Sequence, residues 1–308
     1  MNETLLITIA TLLAATLRVA TPLLFAALGE TLVERAGVLN LGIEGTMFLG
    51  AMVGFVAAYF SSSLWIGVGA ACLAGAGAGL LMALLTVYLG VNQHVAGIGI
   101  TLLATGLSLY LFRILFGEQQ VPPQIDSFAQ LELPPLLGPL TPILEQYGLT
   151  YLALLLVPVL WWVLMRTHWG LRVRAVGENP NAADVAGVNV FRTRLIALAI
   201  GGALMGLGGA FLSLAQLGAF TFGIIAGRGW VAIALVIFGN WSPVKVLWGA
   251  LLFGGFQALQ LRLQANGFQL PYQALLALPY LVTIAALALA GRNVSAPSAL
   301  LKAYHREG

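Results

Sequence analysis

Residues 166–194 read RTHWGLRVRAVGENPNAADVAGVNVFRTR and carry five of the fourteen lysines and arginines in the chain. Arginines at this density do not sit in hydrocarbon, where each charge costs several kcal/mol, so the stretch faces water. Within it Gly177-Glu178-Asn179-Pro180 stops a helix, and Asn181 to Ala186 can begin a short new one. A water-facing connection that carries its own helix is expected to dock a partner.

Everything around this stretch is apolar. With 60% hydrophobic residues, 8% charged residues, 37 glycines and a mean hydropathy of +0.95, the chain lies far outside the composition of soluble domains. The expected fold class is an all-α, polytopic integral membrane protein. A transmembrane barrel would alternate polar and apolar residues over about ten positions, whereas these apolar runs are unbroken over the roughly twenty that a spanning helix needs. The net charge of +3 is too small to mark a nucleic-acid binder. The lone Cys72 excludes an internal disulfide or a thiolate metal site and reads as a packing residue. The first apolar run, 4–28, has no basic leader, is too long for a signal peptide and contains Arg18, so it is expected to be a retained span.

Apolar runs of spanning length fall at 4–28, 38–60, 64–90, 93–117, 149–165, 193–216, 222–240, 244–263 and 271–291, about nine spans in a single permeation domain over residues 1–308. Cytoplasmic loops are enriched in Lys and Arg. With 166–194 inside, alternation also places Arg35, Lys245, Arg292, Lys302 and Arg306 inside and leaves Arg113 and Arg262 near the outer face. The N-terminus is then expected outside and the C-terminus in the cytoplasm. The proline-rich, acidic segment 118–148 becomes an extracytoplasmic loop. Trp161, Trp162, Trp169, Trp241 and Trp248 are expected in the aromatic belts.

Small-residue pairs at four-residue spacing, Gly50 and Gly54, Gly75 and Gly79, Gly202 and Gly206, Gly223 and Gly227, allow helix backbones to approach closely. Packing within one bundle is the expectation, ahead of dimerisation. The similar stretches around Gly75 and Gly202 also raise an internal duplication, although glycine-rich helices resemble one another by composition.

Absences narrow the function. The only lysines, Lys245 and Lys302, lie outside any G-x-x-x-x-G-K-[ST] phosphate loop, so the chain does not hydrolyse ATP by that route. His94, His168 and His305 form no H-E-x-x-H pair, and no span carries the serial arginines of a voltage sensor. No metal site is expected. Polar residues in or beside the spans are few, and those at depth usually face a cavity or a partner. The candidate path residues are Arg18, Asn40, Glu44, Asn92, Gln93, Arg228 and Trp230. Glu44 reads equally as a carboxylate at its own helix start and as a path residue paired with Arg18 or Arg228. Trp230, beside Gly227-Arg228-Gly229, can stack on a flat ligand.

Four ordered stretches carry a family resemblance. They are Ala20 to Gly29 running into Glu34-Arg35-Ala-Gly-Val-Leu-Asn-Leu-Gly-Ile-Glu-Gly45; Asn92 to Gly97; Gly170 to Pro180 with Ala182 and Ala183; and Gly227 to Gly239 with Pro243, echoed by Leu278-Pro279-Tyr280. Together they resemble the membrane permeases of bacterial ABC importers of the ribose and simple-sugar type, closest to the nucleoside branch. The sugar branch generally has one more span ahead of 4–28 and a Gly-Gly-Ile-Asp-Leu-Ser motif where this chain has Asn40-Leu-Gly-Ile-Glu44-Gly, which favours nucleosides.

The resemblance implies a transport subunit and not an enzyme, set in the bacterial inner membrane. It pairs with a second permease, a separate ATP-binding subunit that holds ATP and Mg, and an extracytoplasmic binding protein. It also implies that 166–194 is the ATPase-coupling loop, with Arg172, Arg174, Gly177, Glu178, Asn179, Pro180, Ala182 and Ala183 as its candidate residues. Arg172 and Arg174 equally suit contact with anionic lipid. The alternatives are a ribose or other simple-sugar permease, a proton-linked carrier gated by Glu44, and a scaffold with no path.

Overall fold

The computed structural model describes residues 3–117, 123–132, 138–265 and 295–304, with isolated helical positions between 273 and 288. The helices are α1 Glu3–Arg35, α2 Ile43–Ser61, α3 Leu64–Ala83, α4 Gln93–Phe116, α5 Thr141–Leu144, α6 Gly148–Arg166, α7 His168–Glu178, α8 Pro180–Val185, α9 Val190–Ala210, α10 Arg228–Phe238 and α11 Pro243–Ala265. π-Helical turns prolong α3 over Leu84–Tyr88 and α9 over Phe211–Leu217. Among the described residues there are no strands, only isolated bridges at Gln124 with Ala219 and Gln130 with Tyr147.

Among the described residues seven helices, α1, α2, α3, α4, α6, α9 and α11, are long and apolar enough to cross a membrane. The expected span 222–240 is corrected. Only Arg228–Phe238 is helical there, and eleven residues rise about 16 Å, half of a hydrocarbon core of roughly 30 Å. Ahead of it Gly218, Gly223, Ala226 and Gly227 all take positive φ, so the chain turns where hydropathy alone reads helix. The Gly223 and Gly227 pair is therefore a turn element and not a helix-packing face. The span expected at 271–291 lies outside the described residues, apart from those isolated helical positions.

Helices α1, α2 and α9 form the interior, while α3, α4, α6 and α11 lie around them with less of their surface covered. Leu23, Phe25, Leu28 and Leu32 of α1 are fully buried among Met47, Phe55, Met205 and Phe211. Helix α3 lies against α9 along a seam of glycines. A Cβ built on Gly75, Gly79, Gly202 or Gly206 would overlap a backbone carbonyl of the opposite helix, so backbone meets backbone there. The two similar stretches thus pack on each other inside one chain, as bundle packing requires. Gly77, between Gly75 and Gly79, faces open space.

The α1–α2 linker is not helical, yet most of it is buried, so its N–H groups need partners from the chain. Leu39 N donates to Gln93 Oε1 at 2.8 Å, Asn40 N to Glu30 Oε1 at 2.8 Å, and Gly42 N to Asn40 Oδ1 at 2.8 Å. This explains why α1 continues seven residues past its expected end at 28: Glu30 is wholly buried but bonded to this linker.

Arg18, midway along α1, donates to Gln130 Oε1 at 3.1 Å and ties the proline-rich segment there. Arg35, about 25 Å further along the same helix, meets the turn after α10 and the α6–α9 connection.

Candidate functional site

Glu44 stands in the first turn of α2, and its carboxylate accepts from the N–H groups of Gly227 at 2.8 Å and Gly229 at 2.7 Å. Those donors belong to the start of α10, whose N-cap Gly227 has φ of 80° and offers no side-chain cap. Unpaired N–H groups and the helix dipole make such a start an anion site. Here an internal carboxylate fills it. Glu44 thus lies at the start of its own helix and bridges to the start of another.

Arg228 directs Nη1 to the carbonyls of Ile224 at 3.2 Å and Ile225 at 3.0 Å, stiffening the turn that leads into α10. It also lies close enough to Glu44 to act on that carboxylate electrostatically. Trp230 is 45% exposed beside this cluster, and Phe222 is 78% exposed in the turn before it. Glu44, Arg228 and Trp230 are therefore brought together.

The other four path candidates lie elsewhere. Asn40 is buried and its Nδ2 points to the Met205 sulfur at 3.6 Å, while Gln93 holds Leu39. Asn92 caps α4 by accepting from His94 N and Val95 N. Arg18, midway along α1, is bonded to Gln130 and not to Glu44.

Sequence reading missed a second cluster, at the end of α1. Trp241 was placed in an aromatic belt, but it is 2% exposed and its Nε1 donates to Glu34 Oε2 at 2.6 Å. Its backbone carbonyl accepts from Arg35 Nε at 2.9 Å. The signal available in the sequence was the pair Glu30 and Glu34, four apart at the end of an apolar run, where a buried carboxylate needs partners. Trp248 and Trp162, by contrast, are largely exposed.

The connection between α6 and α9 is two helices, and Arg192 and Arg194 of the 166–194 stretch already belong to α9, where Arg194 is buried. Asn179 caps α8, its side chain accepting from Ala182 N at 3.0 Å, and Pro180 takes the first helical position, which its missing N–H suits. Gly177 and Ala183 are buried, whereas Arg172, Asn179 and Ala182 are exposed and Arg174 is half-buried. The Glu178 carboxylate accepts from Ser298 N at 3.3 Å and Oγ at 3.0 Å, which fastens the connection to the segment after α11. Val185, at the end of α8, is 93% exposed, the most exposed large apolar side chain described.

The family model for branched-chain amino acid transport system permease components matches residues 12–287. A Haloferax volcanii permease protein, TsgC13, provisionally named for glucose ABC transport, is 41% identical over 96% of this chain and 98% of its own. The guanosine ABC transporter permease protein NupQ of Bacillus subtilis is 35% identical over 89% of both chains. The nucleoside ABC transporter permease protein NupC of Lactococcus lactis is 35% identical over 91% of this chain and 92% of its own. An inward-facing solved structure, of an ABC transporter provisionally assigned to the metal-chelate type, superposes with a TM-score of 0.53. It covers 93% of this chain and 97% of that one, and at 16% identity it supports the shared fold alone.

Proposed function

Because the chain belongs to the family of branched-chain amino acid transport system permease components, we propose that it translocates nucleosides as the membrane subunit of an ATP-driven importer. It is a multi-pass membrane transport subunit and not an enzyme. The observation that carries the substrate reading is Glu44 filling the start of α10 beside the exposed indole of Trp230. With that anion site already taken by the chain, the path suits an uncharged polar solute, and an aromatic face suits one with a flat ring. The names of NupQ and NupC point to the same class. TsgC13 supports a second reading, a neutral sugar.

The orientation follows from charge. Arg35, Arg172, Arg174, Arg194, Lys245 and Lys302 gather at the end opposite Gln130, and by the positive-inside rule that end faces the cytoplasm of a bacterial inner membrane. The α7–α8 connection then meets a separate ATP-binding subunit that holds ATP and Mg. The opposite end receives substrate from an extracytoplasmic binding protein. A second, longer permease completes the path on the side where Phe222 and Trp230 are exposed.

Proteoliposomes test the reading. The chain alone should pass no radiolabelled guanosine. With the second permease, the ATP-binding subunit and the binding protein, uptake should follow ATP, and unlabelled guanosine should compete where glucose does not. Uptake by the chain alone, lost when the proton gradient collapses, would instead make it a secondary carrier. Glucose competition would favour the sugar reading.

The docking surface has its own test. Val185→Asp places a charge on an apolar tip expected to enter the ATP-binding subunit. Co-purification of that subunit should weaken by roughly tenfold or more, the effect of losing one central apolar contact. Wild-type recovery would remove α8 from the interface.

A further inference from the structure

Arg35 closes α1, and two separate pieces of the chain converge on it. Its backbone carbonyl packs against Gly177 so closely that any side chain at 177 would overlap it. Its guanidinium donates from Nε to the Trp241 carbonyl at 2.9 Å and from Nη2 to the Asn240 carbonyl at 3.4 Å. It also lies within the electrostatic reach of Glu178 and Arg174 on the α7–α8 connection. One residue thus touches the proposed input of the transporter and the turn that ends α10.

That turn is unusual. Asn240 and Trp241 take φ of 49° and 53°, consecutive non-glycine residues in the left-handed region. Such backbone persists only where its surroundings over-determine it. Here Arg35 holds both carbonyls, Glu34 holds the Trp241 indole, and Asn240 Oδ1 accepts from Ser295 N at 3.1 Å.

From this turn α10 rises about 16 Å as an uninterrupted helix to the Gly227 and Gly229 N–H groups on Glu44. A helix held at both ends moves as a strut. The far side of the joint is equally fixed: Ala299 N donates to Gly177 O at 2.9 Å, and the buried Arg194 donates from Nε to Ala36 O at 3.1 Å. A displacement of α7 against α1 therefore has a packed, hydrogen-bonded route to α10.

We propose that Arg35 is a positioning residue for transport: it passes movement of the α7–α8 connection through the Asn240–Trp241 turn to α10, and so opens or closes the Glu44 cluster. The proposal rests on the ATP-driven reading above. It is a statement about energy coupling, so its test must separate transport from ATP hydrolysis, which a merely structural role would change together.

The experiment uses the full complex in proteoliposomes, with radiolabelled guanosine as the probe, and reads assembly, basal ATPase and guanosine moved per ATP hydrolysed. Arg35→Gln should lower guanosine per ATP by roughly tenfold while basal ATPase stays within about twofold, the scale on which single residues modulate coupling. Arg35→Lys, which keeps the charge but not the planar fork, should fall between. Trp241→Phe keeps an aromatic ring and removes the bond to Glu34, and should lower the ratio about threefold. An unchanged ratio in an assembled Arg35→Gln complex, or parallel loss of transport and ATPase, overturns the proposal. Should that variant not assemble, Trp241→Phe decides, and a wild-type ratio there overturns it too. Wild-type guanosine uptake that ignores ATP would sink the ATP-driven reading itself, a result distinct from any of these.

Discussion

Replacing Glu44 with alanine should reduce guanosine uptake by the assembled transporter by roughly thirtyfold or more. The variant strands the part-buried N–H groups of Gly227 and Gly229 at the start of α10. Hydrogen bonds to a charged acceptor contribute about 1.5–3 kcal/mol each, and even one such loss, transmitted to the position of α10, is worth more than tenfold. Glu44→Gln keeps one acceptor oxygen but turns an amide donor toward the second N–H, so it should fall between alanine and wild type. The variants are compared at equal complex yield with equal basal ATPase, so that uptake reports the path and not assembly. Wild-type uptake by Glu44→Ala would favour the scaffold reading, in which this carboxylate is replaceable.

The second large effect is on folding and discriminates between glycines two residues apart. Gly75→Leu or Gly79→Leu should leave little monodisperse protein in detergent, whereas Gly77→Leu should purify and melt like the wild type. All three sit in one alanine and glycine run, AGAGAG, and have equal helix propensity. The difference is the neighbour: Gly75 and Gly79 abut the carbonyls of Gly202 and Leu198, and Gly77 faces nothing. Overpacking a core by a few carbons costs about 1–3 kcal/mol when side chains can move aside, but here α3 and α9 must separate along the seam, which places the cost above roughly 4 kcal/mol. Thermal unfolding followed by size-exclusion recovery measures it. Equal behaviour of Gly75→Leu and Gly77→Leu would show that α3 does not lie on α9 by this face.

How far the sequence could be read depended on what kind of contact each feature makes. The spans at 64–90, 93–117, 149–165 and 244–263 match helices within a few residues at nearly every end, because long apolar runs in lipid have no alternative to the helix. The break at Asn179-Pro180 was legible for a local reason, a cap and a proline acting on adjacent residues. Glu44 and Arg228 stand out in the sequence because charge within apolar sequence is costly and therefore rare. Asn40 and Gln93 carried the same signal for a different reason: each satisfies buried backbone of the α1–α2 linker, and polarity at depth does not say which polar group it serves. Trp241 was misplaced because an indole beside a span end suits a lipid interface and a buried carboxylate equally, and only the approach of Glu34 decides between them.

The sequence by itself determined the class, the family resemblance, most span boundaries and the helix break at Asn179-Pro180, since hydropathy, caps and proline act locally or through the solvent. The tertiary structure decided that 222–240 is a turn and a half-length helix, that Glu44 closes the start of that helix, and that Arg35 joins α7 to its far end. These depend on backbone carbonyls and N–H groups from segments far apart in the chain, up to 206 residues. Every residue but proline carries both groups, so their pairing leaves no mark in composition or periodicity and appears only when the chain is folded.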